Sequence, residues 1–272
     1  MENKELVEYA RRIRLDTVQA ITEVRSGHIG GALSCADLLA VLYFDEMDVK
    51  PEKPDWEMRD RFILSKGHAC TAYYAALAER GYFPLEELKT LRQYGSRLQG
   101  HPDMLLTPGV DMSAGSLGQG LSIGCGLALA AKLKGEDWRT YVLLGDGEVE
   151  EGQVWEAAMT GSCYGLGSLT AIVDANGLQI NGQTEGLLGG GALAEKFRAN
   201  GWQALEIDGH DIVAIKGAFA AARQEAERPT AIIAHTIKGK GVSFMEGQAS
   251  WHSGVPTLEQ YEQAVHELGG EV

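Results

Sequence analysis

The sequence lacks the long apolar runs and the basic excess that define two large classes of protein. No apolar run approaches the ~20 residues that span a bilayer, and the acidic start MENKELVEYA does not resemble a signal peptide. Lysine and arginine number 24 against 38 acidic residues, which gives a net charge of −14, and no basic stripe indicates nucleic-acid binding. We therefore expect a cytoplasmic chain that binds neither membrane nor nucleic acid.

Cysteine is scarce and has no metal-binding pattern. The four cysteines, Cys35, Cys70, Cys125 and Cys163, are widely separated and lie among small or apolar neighbours, which predicts buried, reduced thiols. The histidines match no zinc motif such as HExxH. There is also no GxGxxG turn after the first predicted strand, and no acid about twenty residues beyond one, which argues against a dinucleotide-binding oxidoreductase.

What the chain does have is an alternation of apolar segments with strand and helix patterns. Its 272 residues, 44% of them hydrophobic, are enough for one large α/β domain. The predicted strands are 62–64, 141–144, 169–173, 205–207 and 231–234, and the predicted helices are 6–24, 35–44, 69–80, 121–133, 212–222 and two that follow Pro84 and Pro256. No linker or repeat divides them. We predict a single domain over residues 1–272, with a doubly wound, mainly parallel sheet and helices on both faces.

Three local predictions depend on residue type. Ser34, with Asp37 three residues on, is predicted to cap the helix that starts at Cys35. The unbroken small and apolar run 121–133 is predicted to form a central buried helix, whose small residues let a second helix or a neighbouring subunit come close. The sequence RSGHIGG, residues 25–31, is predicted to form a glycine-rich turn.

Two of the predicted strands end in polar residues that suit a divalent cation. One strand ends in the turn Gly145-Asp146-Gly147, and the next is followed by Asn176. Because a helical crossover returns the chain in the same direction, Asp146 and Asn176 should meet at one edge of the sheet. Their oxygens are ligands that Mg²⁺ or Ca²⁺ prefers, and free glycine amides could receive a phosphate. A purely local turn role is the alternative for this pair taken alone.

Four of the seven histidines lie beside glycine or in polar loops that follow predicted elements. They are His28, His68, His101 and His252. Ligands in open α/β sheets bind outside the carboxyl ends of the strands, so we predict hydrogen-bonding and acid-base roles for these rings rather than metal ligation. For any one of them, an exposed or cap-bonded histidine is the alternative.

Seven short motifs in order resemble the amino-terminal, diphosphate-binding domain of transketolases. They are SGHIGG, DRFILSKGH, QGHPD, GSLGQG, GDGEVEEG with NGLQING, DGHD, and TIKGKG with WH. GDG followed by Asn after twenty-eight intervening residues, 148 to 175, is similar to the thiamine diphosphate fingerprint. The resemblance implies the thiamine diphosphate-binding fold and transfer of a two-carbon ketol unit from a ketose phosphate to an aldose phosphate. One departure is Ser116, where the family commonly has proline.

The resemblance also implies a cofactor site. The metal, Mg²⁺ with Ca²⁺ or Mn²⁺ as alternatives, would be held by Asp146, Asn176 and the backbone carbonyl of Leu178. The other implied cofactor contacts are Gly115 and Leu117 at the aminopyrimidine ring, Gly147 and Lys238 at the diphosphate, and His68.

Two further sets of residues follow from the same resemblance. His28, His68, His101 and His252 would line the funnel to the thiazolium and handle substrate oxygens and protons. Glu151 and Glu156 match acids that lie near the subunit interface and couple paired active sites. A solvated helix start with a favourable dipole interaction is the alternative for these two glutamates.

The chain ends where transketolases continue into a pyrimidine-binding domain. We therefore expect the amino-terminal subunit of a split transketolase, which dimerises with itself and acts only with a carboxyl-terminal partner, in an α₂β₂ assembly. The ending GGEV favours a natural subunit over a shortened chain. The alternatives are a subunit of an enzyme like deoxyxylulose phosphate synthase and a non-catalytic assembly subunit that binds the cofactor.

Overall fold

A five-stranded parallel sheet runs through the protein, whose computed structural model describes residues 1–180, 182–184 and 192–271. Its strands are β1 (Arg61–Leu64), β2 (Thr140–Gly145), β3 (Leu169–Ala175), β6 (Gln203–Asp208) and β7 (Thr230–His235), in the order β1-β2-β3-β7-β6. A separate antiparallel hairpin joins β4 (Leu178–Gln179) to β5 (Gly182–Gln183). Asn181 in the NGLQING motif and Val272 of the GGEV ending lie outside the described residues.

Different helices cover the two faces of the sheet. The helices are α1 (Asn3–Val24), α2 (Ile29–Ser34), α3 (Ala36–Val41), α4 (Cys70–Arg80), α5 (Gln119–Lys134), α6 (Gly152–Cys163), α7 (Leu193–Ala199), α8 (Ile212–Gln224) and α9 (Leu258–Glu267). One core contains side chains from α1 to α4, α8 and α9, and the other contains side chains from α5 to α7. None of the helices in the described part of the chain is long and apolar enough to cross a membrane.

The pleat of each strand sends alternate side chains into the two cores. In β2, Tyr141 and Leu143 pack into the first core, whereas Val142 and Leu144 pack into the second. Strands buried on both faces show continuous apolar runs rather than alternation, which is why these runs were readable in the sequence. The predicted doubly wound α/β fold, with helices on both faces, is confirmed. One domain over residues 1–272 stays a prediction.

The winding of the chain creates a crevice between β3 and β7. The connection from β1 to β2 first passes through α4 on one face and then reaches β2 through α5 on the other. The connections from β2 to β3 and from β3 to β6 run through α6 and α7 on the face of α5, and the return from β6 to β7 runs through α8 on the face of α4. This change of face is what right-handed crossovers require when the direction of winding reverses. Adjacent strands that leave toward opposite faces open a ligand crevice at their carboxyl ends.

Two local predictions near residue 30 were wrong. Ser34 does not cap a helix, because its hydroxyl donates instead to Asp174, 140 positions away, at 2.5 Å. The predicted turn 25–31 is helical from Ile29 onward, as α2. Gly30 suits that helix because a Cβ there would lie 2.9 Å from Cγ of Lys238. The predicted helix 35–44 is therefore α3 together with a π-helical turn, Leu42–Glu46.

Three further expectations need correction. The helix predicted after Pro84 is only a 3₁₀ segment, Leu85–Thr90. Helix α5 is not central: one side packs on the sheet, while Leu133 is 79% exposed and much of the other side is uncovered. Cys163 is exposed because it lies at the solvent side of the last turn of α6, whereas Cys35, Cys70 and Cys125 are buried.

Candidate functional site

The carboxyl ends of β2, β3 and β7 converge on one crevice. Gly145 of β2 is in register with Asp174 of β3, which is in register with Ala234 of β7. The chain leaves these three strands through Asp146, Asn176 and Lys238, so the sheet itself brings together a carboxylate, an amide and an ammonium group. The sequence had predicted that the first two would meet.

Asp146 is a buried carboxylate that forms no ion pair with any residue that the structure describes. Its Oδ2 accepts from the backbone of Gly177 at 2.6 Å and from the hydroxyl of Thr184 at 3.2 Å. Burial and the neighbouring charge of Asp174 raise the pKa of Asp146 to about 6. A carboxylate in this condition would be stabilised by a positive charge brought to it.

The other predicted metal ligands lie along the turn after β3. Oδ1 of Asn176 accepts from the amide of Leu178 at 3.1 Å. The carbonyl of Leu178 accepts from Nζ of Lys238 at 3.1 Å, and the same ammonium lies 3.3 Å from Nδ1 of His252. Lys238 is 2% exposed, and burial together with Lys66 lowers its pKa to about 8. The basic pair that lies fourteen residues apart in the sequence is therefore in contact.

This donor set fits a hard divalent cation that is only partly enclosed by protein. It offers carboxylate, amide and carbonyl oxygens, which Mg²⁺ and Ca²⁺ prefer, and its carboxylate forms no ion pair among the described residues. No group of three or more His, Cys, Asp or Glu side chains within the described ranges could hold a metal alone. A cation here would complete its coordination with oxygens of a bound ligand, as Mg²⁺ does with phosphates.

The glycines of the GDG turn act differently from the prediction. Their amides are not free, because Gly145 donates to Glu148 at 3.0 Å and Gly147 donates to Oδ1 of Asp146 at 3.0 Å. What the turn needs is room: a Cβ on Gly147 would lie 3.0 Å from Cβ of Gln179. Glu148, which the sequence analysis missed, also binds Ser65 and the amide of Gly118, and so ties three loops together.

A buried ion pair that sequence reasoning also missed forms the floor of the crevice. Lys66 bonds Asp174 and the carbonyl of Gly31, and neither charged side chain reaches solvent. Asp174 also accepts from the hydroxyls of Ser34 and Thr236. Burial raises the pKa of Asp174, but the charge of Lys66 and the hydrogen bonds from Lys66, Ser34 and Thr236 together lower it below its usual value.

The floor also orients a predicted metal ligand. Nδ2 of Asn176 faces Oδ2 of Asp174 at 3.5 Å. Because a carboxylate can only accept, it selects the amide orientation that turns the nitrogen of Asn176 toward the floor and leaves the oxygen for the crevice.

Three of the four predicted histidines form a triangle at the mouth of the crevice. The ring centroids of His28, His68 and His252 lie 5.2, 5.4 and 5.1 Å apart, in the pairs 28 with 68, 28 with 252 and 68 with 252. Burial and nearby cations lower the pKa of all three, to about 2 for His68 and about 4 for His252. These imidazoles are therefore neutral near pH 7 and able to accept a proton.

His101 lies on the rim beside Gly115, whose Cβ would stand 3.5 Å from the ring. It is exposed, and its ring makes no hydrogen bond to any residue that the structure describes. Arg92 contacts Nδ1 of His28 at 3.3 Å. Burial is the main cause that lowers the pKa of His28 and His101, and the charge of Arg92 lowers both further. No local signal marks Arg92 in the sequence, since a lone arginine in a polar loop is ordinary.

The remaining predicted site residues lie at the edge of this region. Leu117 is 38% exposed in the loop before α5, next to Gly115. Glu151 and Glu156 are exposed at the start and along the outer side of α6, and their carboxylates make no hydrogen bonds within the described residues. The structure does not bring these two glutamates into the crevice.

Comparison with known proteins now decides the family. The sequence model of the family described as "Transketolase, thiamine diphosphate binding domain" matches residues 3–271. The chain belongs to the transketolase family. Its match to the thiamine diphosphate-binding domain agrees with the crevice, where oxygen donors, an ammonium group and neutral histidines lie together.

Two transketolase relatives of similar length are named as subunits. The chain is 46% identical over 268 residues to an apulose-4-phosphate transketolase subunit of Phocaeicola vulgatus, and the match covers 98% of this chain and 94% of the relative. It is 44% identical over 264 residues to the 6-deoxy-6-sulfo-D-fructose transketolase subunit SqwG of Clostridium sp., with 97% and 96% covered.

Solved transketolases share the fold over nearly the whole of this chain. The transketolase of Pichia stipitis superposes with a TM-score of 0.93 at 33% identity, covering 98% of this chain. The match covers 41% of the Pichia chain, so this protein spans about two fifths of the length of that transketolase.

Proposed function

We propose that this protein is the amino-terminal subunit of a split transketolase. With a divalent metal it holds the diphosphate of thiamine diphosphate, and with a carboxyl-terminal partner it transfers a two-carbon ketol unit from a ketose phosphate to an aldose phosphate. The observation that carries the proposal is the buried carboxylate of Asp146, which has no ion pair among the described residues and lies near Asn176 and Lys238 in a crevice faced by neutral histidines.

The cofactor site uses residues at three strand ends. Asp146, Asn176 and the carbonyl of Leu178 hold the metal, preferably Mg²⁺, and the charge of Asp146 offsets part of the charge of the cation. Lys238 bonds the diphosphate, while Gly147 leaves room for it. Gly115 and Leu117 border the aminopyrimidine ring. Bound thiamine diphosphate supplies the electron sink that allows the carbon–carbon bond of the ketose to break.

The histidines handle the substrate. His28, His68 and His252 are neutral, so each can accept a hydrogen bond or a proton from a substrate hydroxyl and return it. His68 lies nearest the floor and also faces the cofactor. His101 on the rim adds a fourth donor or acceptor as substrate enters. The partly buried rings of His28, His68 and His252 limit the access of water to the reacting groups.

The partner completes the site. A carboxyl-terminal subunit contributes the pyrimidine-binding domain, and the assembly is α₂β₂ with two copies of this chain in contact. The uncovered side of α5 supports this, because apolar surface of that kind marks an interface. Glu151 and Glu156 on the adjacent α6 are proposed to couple the paired sites there. The four free thiols support a reducing, cytoplasmic setting.

Two measurements test the proposal. Calorimetry on the purified chain should detect thiamine diphosphate binding with Mg²⁺ and none with EDTA. Ketol transfer, assayed with a ketose phosphate donor and an aldose phosphate acceptor, should be absent for the chain alone and appear when the carboxyl-terminal subunit is added. Turnover by the chain alone would refute the split enzyme. Cofactor binding without turnover in the paired mixture would favour a non-catalytic subunit.

A further inference from the structure

His210, in the DGHD motif after β6, is outside the crevice, yet both of its ring nitrogens are bonded inside the protein. Nδ1 lies 2.8 Å from Oδ2 of Asp37, and Nε2 lies 2.9 Å from the backbone nitrogen of Ile237. The side chain is only 14% exposed. The ring therefore joins α3 to the loop that follows β7.

These two partners fix the protonation of the ring. A backbone nitrogen can only donate, so Nε2 of His210 must be the acceptor and carries no proton. The single proton of the neutral ring is then on Nδ1, which donates to Asp37. Asp37 is itself held by Arg14, whose Nε also donates to the carbonyl of Leu33 at 3.1 Å. The tautomer and the orientation of the ring are both determined by its surroundings.

The DGHD sequence explains why the ring reaches Ile237. Gly209 donates to the carbonyl of His235 at 2.8 Å, and a Cβ at that position would lie 2.4 Å from Cγ2 of Thr236. Only glycine allows the β6 and β7 exits to approach so closely. Asp208 accepts from the amide of His210 at 2.8 Å, and Asp211 caps α8. Each residue of the motif thus has a part in presenting the imidazole.

Ile237 precedes the lysine of the crevice. On either side of it, Thr236 donates to the carbonyl of Ala175 at 3.2 Å and Gly239 donates to the carbonyl of Gly30 at 3.0 Å. Ile237 lies between these two bonds; its amide donates to His210 and its carbonyl accepts from the amide of Lys240 at 3.1 Å. Loss of that bond would leave the Ile237 amide without its partner and free the backbone that aims the ammonium group of Lys238.

We propose that His210 is a positioning residue for Lys238 and acts through the backbone of Ile237. A histidine outside the crevice then fixes the position of the ammonium group that binds the diphosphate. The effect on cofactor binding rests on the proposed function, whereas the effect on the backbone does not.

Two substitutions separate the bonds of the ring. The side-chain amide of Asn can replace Nδ1 and keep the bond to Asp37, whereas that of Gln can replace Nε2 and keep the bond from Ile237. We expect hydrogen–deuterium exchange in the peptide 235–240 to be faster in His210→Asn and close to wild type in His210→Gln. With Mg²⁺, thiamine diphosphate should bind about tenfold more weakly to His210→Asn and within about twofold of wild type to His210→Gln.

The same variants show which outcome overturns the proposal. If the ring mattered only through its bond to Asp37, His210→Asn would behave like wild type, whereas His210→Gln would be less stable and its amides would exchange faster. That result, or equal exchange in the two variants, would overturn the proposal. His235→Asn is the matched control, since His235 is two residues before Ile237, its ring is exposed, and its partner among the described residues is Glu206. Failure of the wild type to bind cofactor would refute the proposed function, while the exchange result would still decide the role of His210.

Discussion

Two aspartates at the ends of neighbouring strands differ in almost everything except burial. Asp174 is fully buried and bonded by Lys66, Ser34 and Thr236, and its pKa is lowered. Asp146, 4% exposed, follows Gly145, the residue in register with Asp174. Its donors among the described residues are all neutral, and its pKa is raised to about 6. One carboxylate has its cation built into the chain, whereas the other forms no ion pair with a described residue.

The contrast separates a structural charge from one kept for a ligand. Burying an ion pair costs desolvation free energy, and the pair is stable where hydrogen bonds satisfy both charged groups. A buried carboxylate without a cation is destabilising until something positive binds, which is a common condition in functional sites. The same contrast holds for histidines: His210 has both nitrogens bonded, whereas the ring of His101 has no hydrogen bond within the described residues.

The largest effect is expected from Asp146→Asn. The amide keeps an acceptor for Gly177 but removes the charge that a dication needs, so thiamine diphosphate binding with Mg²⁺ should weaken more than about 100-fold. The melting temperature should hardly change, because a buried uncompensated charge is removed. Calorimetry and thermal melting check both expectations. Unchanged affinity, or binding that does not need metal, would remove Asp146 from the metal site.

Asp174→Asn should act mainly on the fold. It leaves Lys66 buried without its counter-charge, and breaking such a pair costs about 3–5 kcal/mol. The urea-unfolding free energy measures this loss. Since Asn at 174 can also donate to Oδ1 of Asn176, cofactor affinity of the folded fraction should fall as well.

A second ion pair supplies the control for that experiment. Asp111 is buried, bonds Arg59 and accepts from the amide of Phe62 at the opposite end of β1. Asp111→Asn should lower stability without altering the cofactor affinity of the folded protein. If Asp174→Asn behaves in the same way, the floor of the crevice has no influence on the metal ligand above it.

His101→Ala tests the rim. Because the ring has no bond to lose within the described residues, stability should be unchanged, while ketol transfer with the partner subunit should fall by about 100-fold. Steady-state rates with both subunits present measure the change. His235→Ala, which removes another exposed ring, should leave the rate as in wild type. Equal losses in the two variants would show that His101 has no special role.

The smallest effect is a dependence of stability on pH. Burial and Lys238 lower the pKa of His252 to about 4 in the folded protein. In the unfolded chain this histidine has its ordinary pKa of about 6.5, so between about pH 4 and 6.5 the unfolded chain binds one proton that the folded protein does not. Stability from this group is present above that window and is lost as the pH falls through it, with a slope of at most about 1.4 kcal/mol per pH unit. Urea unfolding at pH 7 and pH 5 should show a shallower slope for His252→Gln. An identical slope would mean that His252 is not buried as described.

The strand ends were predictable because their signals are local. Continuous apolar runs that stop at Gly145 or Asp174 mark buried strands, and the buried residues Val154, Ala157 and Ala158 of the crossover helix α6 have the spacing of one helix face. Parallel crossovers then required Asp146 and Asn176 to meet. Both inferences depend only on the order of residues along the chain, and this order can be read directly from the sequence.

The errors came from residues whose partners are distant. Ser34 has the pattern of a cap, but Asp174 competes for its hydroxyl from another strand. Lys66 resembles a surface lysine because nothing near it in sequence is acidic. The small residues of α5 suit a buried helix and an interface equally well, so burial could not be read from them. The role of Glu148 was equally hidden in the sequence, since two of its partners, Ser65 and Gly118, come from loops far away along the chain.

The bond from Gly177 to Asp146 has a consequence for the chemical ageing of the protein. An Asn-Gly sequence deamidates when the glycine nitrogen attacks the asparagine side chain, and Asn176-Gly177 is such a sequence at a predicted metal ligand. Here that nitrogen is held 2.6 Å from Oδ2 of Asp146. Folded protein should therefore retain Asn176 on long incubation, whereas unfolded protein should show the mass increase that deamidation at Asn176 produces. The rate at which this predicted metal ligand is lost then depends on the fraction of time that the chain spends unfolded.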